Sequence, residues 1–333
     1  MTNSSKESID SEEVNDEKLS SQQSFKRIFL NLKFLLIPAY RIKSLSFRDR
    51  EYERTVSKRR TIYRLINPLT IIGLVIVFIV TTLAVFPEWI SPYAYEEANL
   101  YVGNIWSPPS SEHPLGQTYG RDILARIIFG AKSALIIAFP SVIFSVIFGL
   151  LFGVIAAYYG KWFGSIIMRI GDILLAFPGL ILAMIVLQII GRNFWNIILV
   201  YGIIGIPIYA RLIRGSVLQA KSLPYIDAAR VVGARNWRIM FKHILPNCSQ
   251  PIIINLTFDI GGIVLSLAAL SFLGYSDQSL IQWGTDIGDA RYHFIDAPWA
   301  SVWPGIMIII TVVGFLLLGD GLRDTFDPKL RNL

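Results

Sequence analysis

The sequence predicts an all-α, polytopic membrane protein with six transmembrane helices. Of its 333 residues, 53% are hydrophobic and only 17% are charged, and the mean hydropathy is +0.51. These values are too apolar for a water-soluble globule of this length. Six apolar segments are each long enough to cross about 30 Å of hydrocarbon at about 1.5 Å per residue. They lie near residues 68 to 90, 134 to 158, 168 to 190, 194 to 213, 251 to 273 and 302 to 320.

Basic residues are distributed unequally between the connections of these segments. Counted from residue 41 onward, in a chain that crosses six times, 21 lysines and arginines fall on one side of the membrane and five on the other. Because the side rich in basic residues is cytoplasmic, we expect both termini and the connection near 214–246 in the cytoplasm. The protein is then expected in the cytoplasmic membrane, with segment 91–132 outside. The formal charge of +7 is spread between the spans, so nucleic-acid binding is not expected.

Residues 1–64 are predicted to form a cytoplasmic tail ahead of a permease domain at 65–333. Residues 1–24 are polar, so we expect them to be disordered, and they do not have the pattern of a signal peptide. Between residues 25 and 47, apolar side chains recur at helical spacing among lysines and arginines. This pattern is typical of a helix on the inner membrane surface, and a flexible basic tether explains it equally well.

The most distinctive polar segment lies in the connection near 214–246. Asp227-Ala228-Ala229 precedes Gly233, and Leu245-Pro246 follows further along. The two alanines permit a partner to approach the backbone closely, and Gly233 can adopt the positive φ that ends a helix. A polar helix-turn-helix in a membrane-protein loop therefore predicts a docking site for a partner outside the membrane.

This segment resembles the EAA signature of ABC-importer permeases, with Asp227 where the signature usually has Glu. The resemblance covers roughly residues 65–331, in order and with consistent spacing. Further segments that are similar to the dipeptide and oligopeptide subfamily lie at 113–126, 168–179, 270–274, 318–324 and 327–331.

The resemblance implies the type I ABC importer permease fold. It also implies a subunit of an ATP-driven importer for peptides or related solutes that works by alternating access. The implied partners are a second permease chain, expected as a heterodimer, two cytoplasmic ATPase subunits and an extracytoplasmic solute-binding protein, which largely sets the solute. The residues that the resemblance assigns to the ATPase-coupling loop are Asp227, Ala228, Ala229, Gly233, Leu245 and Pro246.

The sequence offers no basis for an enzyme, a cofactor or a metal site. Gly130-Ala131-Lys132-Ser133 lacks the glycines of a phosphate loop and adjoins a membrane span, so we expect ATP hydrolysis from separate chains. His113, His243 and His293 are distant in sequence and are predicted on different sides of the membrane. A metal or catalytic site built from them is not expected.

Asp259 lies about eight residues into the fifth apolar segment, or about 12 Å from its start. An ionisable group at this depth is costly in lipid and faces the bundle interior, a water-filled path or a partner. Two interpretations stay open, a group that lines the solute pathway and a structural acid between helices. The rival class is a secondary transporter or channel in which Asp259 carries protons or cations. That class does not explain the small-residue helix in the loop.

Two further patterns concern helix packing. Asp172 is expected to pair with Arg169, one turn earlier, near the inner interface. Gly261-Gly262 supplies a small-residue surface for close helix contact, together with Ser266 and Ala269.

The charge asymmetry predicts the orientation of the chain. In a Cys248→Ser background, a cysteine introduced at Arg235 should be protected from impermeant thiol reagents in intact cells. Cysteines at Glu112 and Asp289 should be labelled. Labelling at Arg235→Cys from outside would contradict the predicted orientation.

Overall fold

A computed structural model describes residues 67–103 and 105–326 of the chain. The predicted N-terminal tail with its interfacial helix, and the segment 327–331, lie outside the described residues. Within the described ranges, nearly all regular structure is helical. The main helices are α1 (Pro68–Val85), α2 (Pro87–Ile90), α3 (Tyr95–Asn99), α4 (Ile123–Tyr159), α5 (Lys161–Leu175), α6 (Gly179–Ile190), α7 (Phe194–Lys221), α8 (Pro224–Val231), α9 (Asn236–Arg238), α10 (Ser249–Phe272), α11 (Trp283–Ala290) and α12 (Trp299–Phe326).

Five of these helices are long and apolar enough to cross a membrane, namely α1, α4, α7, α10 and α12. Helices α5 and α6 pass the same test only as a pair, which gives six crossings if the pair forms one span. The predicted all-α architecture with six apolar crossings agrees with this arrangement.

The third predicted span, 168–190, is not one continuous helix. Helix α5 ends at Leu175, α6 begins at Gly179, and the two helices meet at 89°. Pro178 has no backbone N–H to continue the helix, and its ring disfavours the helical conformation of Phe177. The continuous helix expected from hydropathy is therefore a bent pair of helices.

Helix α4 begins well before residue 134, where the second span was expected to start. The Asp122 carboxylate caps its first turn, with Oδ1 accepting a hydrogen bond from the Ala125 amide at 2.7 Å. A carboxylate at this position satisfies a free backbone N–H and is favourable near the positive end of a helix. These additional turns extend α4 beyond the apolar segment that was expected to span the membrane.

Helices α4 and α7 form the most extensive helix pair in the described structure. Their backbones approach closely because small residues line the contact: a Cβ built on Gly153 would lie 2.6 Å from the Ala210 carbonyl oxygen. The Ser145 hydroxyl donates to the Gly202 carbonyl at 2.7 Å across the same interface. Such contacts are typical of helix pairs in membranes, where close packing and polar bonds replace hydrophobic burial as the driving force.

A smaller region, here called the cap (residues 87–103, 105–122 and 275–298), lies at the end of the bundle where α4 begins. It contains the antiparallel hairpin of β1 (Gln117–Thr118) and β2 (Arg121–Asp122). Its helix α11 packs on α10 and α12, and the Trp283 indole N–H donates to the Ile127 carbonyl at 3.0 Å. The cap is thus fixed to the first turns of α4.

Candidate functional site

The loop that carries the predicted signature, residues 222–248, is anchored to the bundle. Pro224 begins α8, and Asp227 lies in its first turn, where a negative charge is favourable. Ile226 is fully buried, and Ala229 packs against the main hydrophobic core. Helix α8 therefore has one face held by this chain's own core.

Gly233 ends α8 through a pair of backbone hydrogen bonds. Its φ is 82°, its N–H donates to the Arg230 carbonyl at 2.9 Å, and the Ala234 N–H donates to the Ala229 carbonyl at 3.0 Å. These two bonds form a Schellman motif, in which a residue of positive φ satisfies the last carbonyls of the helix. The positive φ predicted for Gly233 is confirmed.

After Gly233 the chain returns to the bundle through irregular helix. Short helix α9 is followed by a π-helical turn at Ile239–Ile244 and a 3₁₀ turn at Leu245–Cys248. Ile239 and Ile244 are buried. Both arms of the loop are consequently secured by apolar side chains.

The six residues predicted for the loop divide into two groups. Asp227, Ala228, Gly233 and Pro246 are exposed, whereas Ala229 and Leu245 pack against the core. The two alanines do not form a single surface for a partner: Ala228 faces outward, and Ala229 supports the fold of the loop.

Three exposed apolar residues at the loop tip were missed in the sequence. Val231 and Val232 are 88% and 87% exposed, and Trp237 is 66% exposed with its ring centroid 3.8 Å from that of Phe241. The sequence signal for them was the pair Val231-Val232 at the end of α8, directly before its terminating glycine. Exposed apolar residues grouped on a surface mark interaction sites.

Asp172 does not pair with Arg169 as expected. Its carboxylate accepts a hydrogen bond from Arg211 of α7 at 2.7 Å, and both side chains are more than half exposed. Helix α5 approaches α7 closely at Gly171, where a Cβ would lie 3.2 Å from Pro207. That contact places Asp172 beside Arg211, which lies one turn after Pro207 on α7. Apolar residues of α4, α5 and α7 line a cavity of about 180 Å³ beside this ion pair.

Asp259 lies half-buried on α10, beside Tyr209 of α7. The Tyr209 ring is fully buried, and its hydroxyl has no hydrogen bond of good geometry among the described residues. The carboxyl and the phenol are therefore neighbours that interact electrostatically without a well-formed bond. Of the glycine pair nearby, Gly261 packs against Phe315, and Gly262 faces open space.

A buried ion pair holds the cap to α4. Arg126 Nε donates to Asp286 Oδ1 at 2.6 Å, and Arg126 Nη1 donates to the Ala98 carbonyl at 2.8 Å. Burial raises the pKa of Asp286, and the guanidinium groups of Arg126 and Arg121 oppose that shift. Arg121 also pairs with the partly exposed Asp289 at 3.3 Å.

The cap histidines have structural partners. His113 Nδ1 lies 2.9 Å from Asp122 Oδ2, and Gln117 Nε2 lies 2.8 Å from His113 Nε2. His293 stacks on Trp106 at 4.3 Å between ring centroids. Among the described residues, no group of three or more His, Cys, Asp or Glu is arranged to hold a metal ion.

The spanning helices, the cap and the anchored loop define an integral-membrane permease with several crossings. Residues 149–332 match the family described as the inner membrane component of binding-protein-dependent transport systems, and the chain belongs to it. Residues 65–109 match the N-terminal transmembrane domain of oligopeptide transport permease C. The chain is thus a transporter subunit and not itself an enzyme, and importers of this family also contain ATPase and solute-binding subunits.

Two proteins that are similar to this chain are named for the solutes of their transport systems. The dipeptide transport system permease protein DppC of Alkalihalophilus pseudofirmus is 40% identical over 268 residues, which is 80% of this chain and 88% of that protein. The glutathione transport system permease protein GsiD of Pectobacterium atrosepticum is 39% identical over 77% of this chain and 85% of that protein.

The fold is shared with a solved transporter. A chain from the inward-facing MetNI methionine ABC transporter aligns with a TM-score of 0.51 and 20% identity, covering 61% of this chain and 97% of that one. At this identity the likeness concerns the fold alone, and it supports the predicted type I importer architecture.

The cap ion pair generates a stability prediction. Arg126→Met leaves the Asp286 carboxylate buried without its partner, and breaking such a pair typically costs about 3 to 5 kcal/mol. Thermal unfolding of the detergent-solubilised protein should therefore shift strongly to lower temperature. The control, Glu88→Gln, breaks the exposed pair of Glu88 with Lys132, whose N and O atoms lie 3.5 Å apart, and should cost at most about 1 kcal/mol. Equal shifts for the two variants would contradict this account, whereas Arg126→Met combined with Asp286→Leu should recover much of the loss.

Proposed function

We propose that this chain is one of two permease subunits in an ATP-driven importer of peptides or related small solutes. The peptide assignment is supported by the names of the two similar permeases, one for dipeptides and one for glutathione. Solute choice rests largely with the external binding protein that delivers the solute to the permease pair.

The observation that carries the proposal is the construction of the loop. Ile226 and Ala229 fix α8 to the core, while Ala228, Val231 and Val232 face away from it. A surface that is apolar, exposed and rigidly anchored can bind a partner and also transmit the partner's movement to the bundle. In the proposed mechanism, closure of the ATPase dimer displaces this loop, and the packed helices convert the displacement into alternating access.

The same proposal includes the orientation of the chain in the cytoplasmic membrane. The loop and both termini face the cytoplasm, where the ATPases reside, and the cap faces the binding protein outside. The 21-to-5 distribution of basic residues supports this orientation.

The second permease chain is proposed to cover the surface of α5 and α7. Asp172 and Arg211 form an ion pair that is more than half exposed on helices whose other outward residues, such as Ile170 and Ile173, are apolar. Charged groups in membrane spans face a bundle interior or a water-filled path, because exposure to hydrocarbon is costly. The ion pair therefore supports a protein-covered surface, and a heterodimer is the expected form.

We predict that Ala228→Leu and Gly233→Val release the ATPase and abolish uptake while membrane insertion persists. Leucine overfills a tight contact, which costs about 1 to 3 kcal/mol and weakens binding about 5- to 150-fold. Valine resists the positive φ of position 233. Co-purified ATPase, membrane abundance and uptake of a labelled dipeptide and of glutathione are measured together.

The matched control is Ala94→Leu, the same change at an exposed alanine of the cap, which should leave the ATPase bound. If both loop variants retain the ATPase and transport normally, the coupling-loop assignment is wrong.

Asp259 is proposed to line the solute pathway, because it is the one charged residue of α10 and is partly exposed there. Asp259→Asn should then lower uptake by about tenfold, the effect of losing a charged hydrogen bond of about 1.5 kcal/mol, while the purified complex keeps its subunits. Loss of subunits on purification would favour the structural role instead.

A further inference from the structure

Helix α4 extends from the cap to the coupling loop. It has 37 residues, or about 55 Å at 1.5 Å per residue. At one end Arg126 forms the buried pair with Asp286, and Trp283 donates to the Ile127 carbonyl. At the other end Tyr158 lies beside the loop. One helix thus contacts both regions to which partner proteins are proposed to bind.

Tyr158 bonds to one arm of the loop and to the end of the helix that leads into it. Its hydroxyl donates to Asn236 Oδ1, just after the Gly233 turn. Its carbonyl accepts a hydrogen bond from Lys221 Nζ at 3.1 Å, where α7 ends before the loop. The same ammonium group lies 5.3 Å from the centroid of the Tyr158 ring, and the ring packs against the main core.

The contacts of Tyr158 differ in kind from the apolar contacts that hold the rest of the loop. Ile226, Ile239 and Ile244 are buried in the core, and such contacts are non-directional. A hydrogen bond has strict distance and angle requirements. A displacement of the Asn236 arm therefore either moves the end of α4 or breaks the Tyr158 bond.

We infer that Tyr158 is a positioning residue that transmits movement of the coupling loop to α4 and through it to the cap. This inference rests on the proposed function, since it requires an ATPase at the loop and a binding protein at the cap. Coupling between two sites is reciprocal in binding free energy. Binding at the cap therefore also biases the loop, and the ATPase senses the binding protein partly through Tyr158.

The test uses the full complex in proteoliposomes, with ATP hydrolysis measured with and without the binding protein as purified. Tyr158→Phe removes one hydroxyl and keeps the ring. We expect the ATPase to remain bound and its basal hydrolysis to be unchanged. Stimulation by the binding protein should fall about two- to tenfold, the range for one lost hydrogen bond. Thr82→Val, which also removes one hydroxyl but one that donates to the Phe78 carbonyl a turn earlier in α1, should have no effect.

A second pair of variants tests the acceptor. Asn236→Ala should reproduce the effect of Tyr158→Phe, the double variant should be no worse than either, and Asn236→Asp, which keeps an acceptor oxygen, should restore coupling. Normal stimulation in Tyr158→Phe overturns the inference, as does complete loss of the ATPase from that variant. If Tyr158→Phe lowers the abundance of the complex in the membrane, Asn236→Ala takes its place. Normal stimulation in Asn236→Ala, or complete loss of the ATPase from it, then overturns the inference. If the unmodified complex binds no ATPase, the proposed function fails instead.

Discussion

The close packing of α4 against α7 is the contact on which the rest of the structure depends. Gly153 permits the two backbones to approach, and the bond from Ser145 to the Gly202 carbonyl fixes their register. The first turns of α4 hold the cap, and α7 leads directly into the loop. One interface therefore determines how the cap and the loop, the two regions proposed to meet other proteins, are placed relative to each other. It uses small residues, because lipid offers helices no hydrophobic reason to associate.

Features that depend on short-range physics were predictable from the sequence. A bilayer requires about 20 apolar residues for each helical crossing, so hydropathy alone located the six apolar segments. The Asp122 cap and the Gly233 turn are also local, since each depends on backbone groups within a few residues. The segments that resemble importer permeases then identified the class of protein. For the loop, this local reasoning located α8 and its terminating glycine.

Features that depend on contacts between distant segments were not predictable in the same way. Asp172 lies 39 residues before its partner, and nothing near it in sequence shows that Gly171 brings α5 against α7. Ala228 and Ala229 are identical in type, so only the buried position of Ile226 reveals which of them faces outward. The break at Pro178 had a local signal, but apolar residues continue on both sides of it, and a hydropathy window does not register a missing N–H. The early start of α4 was hidden for a related reason, since charged residues in its first turns lower the local hydropathy.

The exposed valines of the loop also bear on how such a complex is assembled in the cell. Val231 and Val232 stand almost fully in solvent when the chain is alone. With the ATPase docked as proposed, a completed complex hides this tip, whereas a subunit synthesised in excess of its partners presents it to chaperones and proteases. Under the proposed docking, the same two side chains distinguish an orphan subunit from an assembled one, and balanced synthesis of the subunits becomes a condition for the survival of each.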